Sequence, residues 1–333
     1  MNFEKVFIER PLISKKNTQK VLDSIKYQEI IEIENVDKYF GRFKKPYLQK
    51  RTSLNLYLGE KKGQLVKQAP EAYGISNELH FYFIHAYNCI YECEYCYLQG
   101  YFHNPDIVLF LNHDEIALEI ERTIAANPSQ KIWFHAGEFS DSLALSHITG
   151  ELDLYWETIE KYPDVKLELR TKSVNLKALL EKKPLKNVIV TYSISPAESI
   201  KAYEHKTPQL EARIRAIKKL QDYGFSVALH FDPIVWSSDI IERYQRLIDK
   251  LNSSIHFNDI MYLSLGVVRF TKDVYNQVQQ NYPHSDLLAQ NFVRSFDDKI
   301  RYNKPSRLWI LNNIKSMCLN AGVDEEKIYL CME

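Results

Sequence analysis

The 333-residue chain has no apolar run approaching the ~18–20 residues that cross a bilayer, which excludes a helical membrane span. It has no net charge, with 43 basic and 43 acidic residues, which excludes a generic polyanion binder. Internal repeats and low-complexity tracts are absent. Residues 1–10 mix charges and carry no apolar core, so no signal peptide is expected there. There are only 5 cysteines, and three of them fall in the eight residues 89–96, which excludes a disulfide framework. Free thiols fit a reducing compartment, and a cytoplasmic location is expected.

What is present centres on Cys89-Ile-Tyr-Glu-Cys93-Glu-Tyr-Cys96, just after the apolar run Leu79-His-Phe-Tyr-Phe-Ile84. Thiolates packed this closely converge on a metal or an iron–sulfur cluster. Zinc would need a fourth ligand, drawn from His85, His103, Cys318 or Cys331. Three cysteines without an adjacent fourth suit a 4Fe–4S cluster with one iron open.

From residue 79 the pattern alternates short strand-like runs with amphipathic helices. Strands are predicted at 79–87, 131–136, 165–171, 187–193, 226–231 and 259–265. Helices are predicted at 113–126, 151–162, 175–181, 208–223, 239–251 and 305–321. Such alternation implies parallel strands joined by right-handed crossovers. Six units make an α/β fold, a partial (β/α)6 TIM-like barrel, with chemistry at the strand C-terminal ends. Residues 1–78 read as an N-terminal extension with a helix at 15–26, a strand at 28–33 and a loop at 59–74, and residues 79–333 read as the barrel domain.

Residues 38–67 hold nine Lys or Arg against one acidic residue, Glu60, with Tyr39, Phe40, Phe43, Tyr47 and Tyr57 interleaved. Residues 294–315 hold six basic residues and two acidic ones. Basic groups with aromatic rings suit a nucleic-acid surface, and both stretches read equally as solvated faces beside ordinary core aromatics.

Cys89, Cys93, Tyr95 and Cys96 resemble the signature of the radical S-adenosylmethionine (SAM) superfamily. The flank Cys93-Glu-Tyr-Cys-Tyr-Leu-Gln99 resembles the cluster loop of the spore photoproduct lyase family, which repairs DNA. Further similarity lies at His147-Ile-Thr149, Tyr203-Glu-His-Lys-Thr-Pro208, Arg213-Ile-Arg-Ala216 and His230-Phe-Asp-Pro-Ile234. The resemblance implies a partial barrel, with Cys89, Cys93 and Cys96 holding a 4Fe–4S cluster whose open iron binds SAM. The cofactors carry the hard chemistry, cleaving SAM to a 5′-deoxyadenosyl radical.

The same resemblance places Gly137 and Glu138 at the SAM amino group, Lys172 at its carboxylate, and Ser193 and Ser195 along it. His230 and Asp232 fall beside the adenosine. Tyr95 packs on the cofactor, and Tyr95 and Tyr97 take part in returning a hydrogen atom. Lys299, Arg301, Tyr302 and Arg307 face DNA. Each position has a plainer reading: a strand-to-loop turn, a snorkelling lysine, a turn former or a structural histidine.

The implied activity is reversal of a methyl-bridged thymine dimer to two thymines. An external electron donor such as flavodoxin or ferredoxin, and a monomeric enzyme, are expected. One departure stands out. The family carries a hydrogen-donating cysteine just after the second barrel strand, and this chain reads Gly137-Glu-Phe-Ser-Asp141 there. Cys331 or Cys318 could substitute, Tyr97 could act directly, or the substrate could be another nucleic-acid lesion or modified base. An iron–sulfur protein that binds nucleic acid or senses redox state without cleaving SAM is the reading from another class. Replacing Cys93 by alanine is expected to abolish the visible iron–sulfur absorbance after anaerobic reconstitution; an unchanged spectrum would contradict the ligand assignment.

Overall fold

The structure, a computed structural model, describes residues 1–40, 53–70, 78–102 and 104–331. Seven parallel strands form its main sheet: β1 (Leu79–Phe83), β2 (Ile132–Ala136), β3 (Val165–Thr171), β4 (Val188–Ser193), β5 (Ser226–Ile234), β6 (Leu263–Val267) and β7 (Ile328–Leu330). They lie side by side in sequence order, with the short strand Val66–Gln68 antiparallel on the outer side of β1. The two edges do not meet, so the barrel is partial.

The centre of this sheet is legible from composition. Every residue of β2 and of β4 is buried, as expected when helices cover one face and the barrel interior the other. The crossovers carry the helices His113–Ala126, Leu152–Glu160, Lys177–Leu180, Leu210–Tyr223 and Ile240–Ser254, and Lys304–Asn320 precedes β7. Their apolar faces join the strands in one core that includes Phe134, Leu167, Val190, Ile217, Leu229, Ile248 and Ile314. Every helix predicted in this region is present, with ends shifted by at most three residues.

Several expectations change. The predicted strand 79–87 ends at Phe83, and the chain crosses to a second sheet, where Ala86–Tyr87 pairs antiparallel with Ile107–Phe110. That sheet continues in parallel through Leu56–Gly59 and Lys5–Glu9 to Glu29–Ile33. Strand pairing therefore runs across residue 78 in both directions. The stretch 59–74, expected as a loop, contains Val66–Gln68, whose register on β1 is set by Val66 opposite Phe83. The N-terminal helix is shorter than predicted, Lys16–Asp23. Residues 257–259 form a 3₁₀ turn before β6 starts at Leu263.

The strand ends set tight limits on side-chain volume. A Cβ on Gly266, in β6, would sit 2.7 Å from the Asp232 carboxylate on the neighbouring β5. That carboxylate is held by Arg269, with contacts of 3.2 and 3.1 Å, so it has little freedom to move aside. Overpacking of this kind costs ~1–3 kcal/mol. Gly266→Ala is expected to lower the midpoint of thermal unfolding by several degrees, measured by circular dichroism; an unchanged midpoint would show that the Asp232–Arg269 pair is not rigid.

Candidate active site

A cavity of about 500 Å³ opens at the C-terminal ends of the strands, within the volume range of small-molecule and cofactor sites. Cys89, Cys93 and Cys96 line it, with Tyr95 and Tyr97 on either side of Cys96 in the chain. From the strand ends come Gly137 and Glu138 after β2, Lys172 after β3, Ser193 at the end of β4 and Asp232 in β5, and Lys299 completes the wall. Sequence positions 89 to 299 thus meet at one mouth, where parallel α/β folds carry their chemistry.

The cysteine loop is clamped from below. Glu92–Cys93 pairs antiparallel with Glu204–His205, and the Glu94 amide donates to the Tyr203 carbonyl at 2.8 Å. Glu94 also bonds His205 at 2.7 Å and accepts from the Ser285 hydroxyl. Beneath it Arg213, 0% exposed, donates to the Glu204 carboxylate, to the Ser193 carbonyl at 3.0 Å and to the Thr207 hydroxyl at 2.9 Å. Glu204 accepts in addition from the Tyr95 hydroxyl and, at 3.3 Å, from Ser195. Burial alone would raise the Glu204 carboxyl; Lys172 and Arg213 more than offset it and hold it below the ordinary range. The segments 203–208 and 213–216 are therefore the brace of the loop.

Burial pushes the Cys93 thiol up to about 12, against the pull of Lys172, and raises Cys89 and Cys96 as well. Ligation of a metal cation would favour their thiolate forms. Among the described residues no three His, Cys, Asp or Glu side chains converge on a single-ion site. A cubane cluster places its three cysteines on separate irons, so they need not meet at a point. The Tyr91 amide donates to the Cys89 sulfur at 3.4 Å, a contact that suits a thiolate.

Lys172 brings a cation into this wall, with its ammonium 5.7 Å from the centre of the Tyr95 ring. Burial disfavours its charge, while Cys93 and Glu204 over-compensate, so it stays protonated. Gly137 has φ +70°, and a Cβ there would come within 3.1 Å of the His85 imidazole. Only glycine passes so close in that conformation. The Tyr97 hydroxyl donates to the Glu138 carbonyl, tying the cysteine loop to the loop after β2.

Four predicted residues are placed elsewhere. The Ser195 hydroxyl is spent on Glu204 and does not line the cavity. Arg301 is buried and bonded to Asp297 at 3.2 Å and to Ser295. Tyr302 is buried, its hydroxyl accepting from the Trp236 amide at 2.9 Å, and Arg307 is buried against the Tyr302 carbonyl at 2.8 Å. These three hold a hairpin and the start of the last long helix together and offer no surface to a phosphate. Arg294 pairs with Asp298, Lys299 with Asp297 at 3.5 Å and Lys315 with Glu325, and of this basic stretch Lys299 lines the cavity. In the earlier basic stretch Phe40 and Tyr57 are core residues, while Phe43 and Tyr47, like His103, lie outside the described residues.

Other residues were not singled out from the sequence. Asp141 accepts from the Leu143, Ala144 and Lys172 amides and from the Thr171 hydroxyl, locking the loop after β2 to the end of β3. Its place five residues beyond the end of β2 was the available signal. Glu168 lines the cavity with His135, Arg170 and His230 around it, and accepts from the Tyr262 hydroxyl. His230 thus has structural partners. Burial would raise Glu168, and Arg170 and His135 hold it well below the usual range.

A family model described as spore photoproduct lyase matches residues 74–307. The chain belongs to the spore photoproduct lyase family. It is 27% identical over 216 residues to the spore photoproduct lyase of Geobacillus sp. (strain Y412MC61), covering 63% of each chain. To that of Bacillus subtilis (strain 168) it is 27% identical over 205 residues, covering 61% of this chain and 60% of the relative. The matched stretch thus spans less than two thirds of either relative's length. The fold is that of a spore photoproduct lyase structure complexed with dinucleoside spore photoproduct, with TM-score 0.81, 19% identity and 98% of both chains covered. A mutant lyase structure with bound AdoMet and the same dinucleoside gives TM-score 0.79 at 20% identity, again over 98% of both chains.

Breaking a buried ion pair by removing one partner costs ~3–5 kcal/mol. Arg213→Ala is therefore expected to destabilise the protein by about that amount in urea unfolding and to impair cluster uptake. A loss below ~1 kcal/mol would contradict the bracing role.

Proposed function

We propose that the protein is a radical SAM lyase that reverses a methyl-bridged thymine dimer in DNA to two thymines. The observation that carries this is the gathering of three cysteines, Lys172, Glu138, Ser193 and Asp232 around one cavity in a chain of this family. The residues fit the two cofactors. Cys89, Cys93 and Cys96 would hold a 4Fe–4S cluster, whose cationic irons would favour the thiolate forms that burial disfavours. Lys172 offers a cation to the SAM carboxylate and Glu138 an anion to its ammonium, the pairing an amino-acid zwitterion requires. When bound, cluster and SAM supply a carbon-centred radical able to remove a hydrogen atom from an unactivated C–H bond.

The chain's own residues orient and shield. Tyr97 closes one wall through the Glu138 carbonyl, and Tyr95 sets its ring near Lys172 while its hydroxyl donates to Glu204. A dimer must leave the duplex stack to enter such a cavity, at a cost of about a few kcal/mol that is smaller for a damaged pair. Lys299 at the rim is the candidate contact to the DNA backbone. The cluster would be reduced by an external one-electron donor of the flavodoxin or ferredoxin kind. No helix among the described residues is long and apolar enough to cross a membrane.

The test is anaerobic turnover of the reconstituted protein with SAM, a strong reductant and a dinucleotide carrying the methyl-bridged dimer. Chromatography should show 5′-deoxyadenosine and restored thymines together. Deoxyadenosine without restored thymine would redirect the chemistry to another lesion or modified base, and neither product would favour a binding or sensing role.

A further inference from the structure

The proposed repair leaves a carbon radical on one thymine, and that carbon must receive a hydrogen atom. Its donor must carry a weak, transferable X–H bond and reach the cavity. Among side chains, thiols and phenols qualify, and Tyr91, Tyr95, Tyr97, Tyr101 and Tyr329 line the cavity along with four cysteines; of the two groups, the thiol carries the more readily transferred hydrogen. Three of the cavity's thiols are committed as cluster ligands. The Tyr95 hydroxyl is given to Glu204 and the Tyr97 hydroxyl to the Glu138 carbonyl. Cys318 is 0% exposed in the core beneath Lys304–Asn320 and does not line the cavity.

One thiol remains. β7 pairs in parallel with β6, Leu263 opposite Ile328 and Leu265 opposite Leu330. Its C-terminal end therefore reaches the same mouth as those of β2 to β5. The next residue is Cys331, whose amide donates to the Leu265 carbonyl at 2.8 Å and whose side chain lines the cavity. Arg269 donates to the Cys331 sulfur at 3.5 Å while its fork is held by the Asp232 carboxylate at 3.2 and 3.1 Å. Asp232, placed beside the adenosine by sequence similarity, is thereby also part of the thiol's setting.

We propose that Cys331 is the hydrogen-atom donor of the repair reaction. The proposal rests on the lyase reading above. In the step, the S–H bond of Cys331 breaks homolytically and its hydrogen, with one electron, forms the C–H bond that completes the thymine methyl group. The unpaired electron moves from carbon to sulfur, and no charge or proton is exchanged with solvent. The sulfur recovers a hydrogen atom from a low-molecular-weight thiol, whose own sulfur radical pairs with a second to give the disulfide. The surroundings favour this use. Burial pushes the Cys331 thiol up to about 11, and Asp232 adds to it against the opposing Arg269. A thiol so placed keeps its hydrogen at neutral pH, whereas a thiolate has none to give.

Two measurements test this. In the first, wild-type protein repairs the dinucleotide in deuterated water. A thiol exchanges its hydrogen with solvent, so a thymine methyl should gain one deuterium per repaired dimer. Cys331→Ala and Cys331→Ser should still cleave SAM while the yield of restored thymine falls at least tenfold. Unchanged repair with unchanged deuterium in both variants would overturn the proposal and leave the lyase reading standing. So would repair without deuterium in the wild type. SAM cleavage without any repair by the wild type would overturn the lyase reading itself, and this proposal with it. The second measurement does not depend on turnover. In cluster-loaded protein without SAM, iodoacetamide sites are mapped by mass spectrometry, the three cluster cysteines being protected as ligands. At alkaline pH, where part of a thiol raised this far is ionised, Cys331 should be alkylated faster than the fully buried Cys318, and the dinucleoside dimer should slow the reaction at Cys331. No protection by the dimer would overturn the placement of this thiol at the substrate.

Discussion

The buried carboxylate of Glu204 is the point on which the active-site side of the molecule depends. It accepts from Arg213, Tyr95 and Ser195, and so joins the helix Leu210–Tyr223, the cysteine loop and the end of β4. A charge in that position is costly to bury unless paired and hydrogen-bonded. Here both conditions hold, with Arg213 fully buried against it. The loop Cys89–Cys96 has almost no regular structure of its own, so its geometry is borrowed from this brace and from the short pairing with Glu204–His205.

Around that brace the site follows from the parallel sheet. Each strand delivers one or two polar groups to the mouth, and bonds among the lining residues fix them. Asp141 ties the loop after β2 to the end of β3, and Glu168 gathers His135, His230 and Tyr262. Rigid supporting partners of this kind hold reacting groups in place. The seventh strand, which completes the row of ends, brings Cys331 to a wall opposite in sequence from the cluster loop.

Much of this was legible before any coordinates. The largely apolar runs of β2 and β4 announce strands buried on both faces, and the cysteine spacing announces three thiols at the cavity. The N-terminal sheet was less visible. Glu29–Ile33 is largely exposed at a sheet edge, and Leu56–Gly59 and Ile107–Phe110 are four residues each, recognisable only once paired across 51 positions, Leu56 to Ile107. The basic stretch near the C-terminus misled for a different reason. Charge does not reveal burial, and Arg301 and Arg307 are satisfied inside the protein by Asp297 and the Tyr302 carbonyl. Cys331 could be ranked above Cys318 only after the sheet showed which thiol follows a strand end and which lies in the core.

The central claim is that this mouth holds a cluster with an open iron beside a site for SAM. The most direct measurement is the electron paramagnetic resonance spectrum of the reduced, reconstituted protein with and without SAM. Direct ligation of the open iron should change the g values on adding SAM, and Lys172→Ala should raise the SAM concentration needed. A cluster spectrum indifferent to saturating SAM would contradict the account.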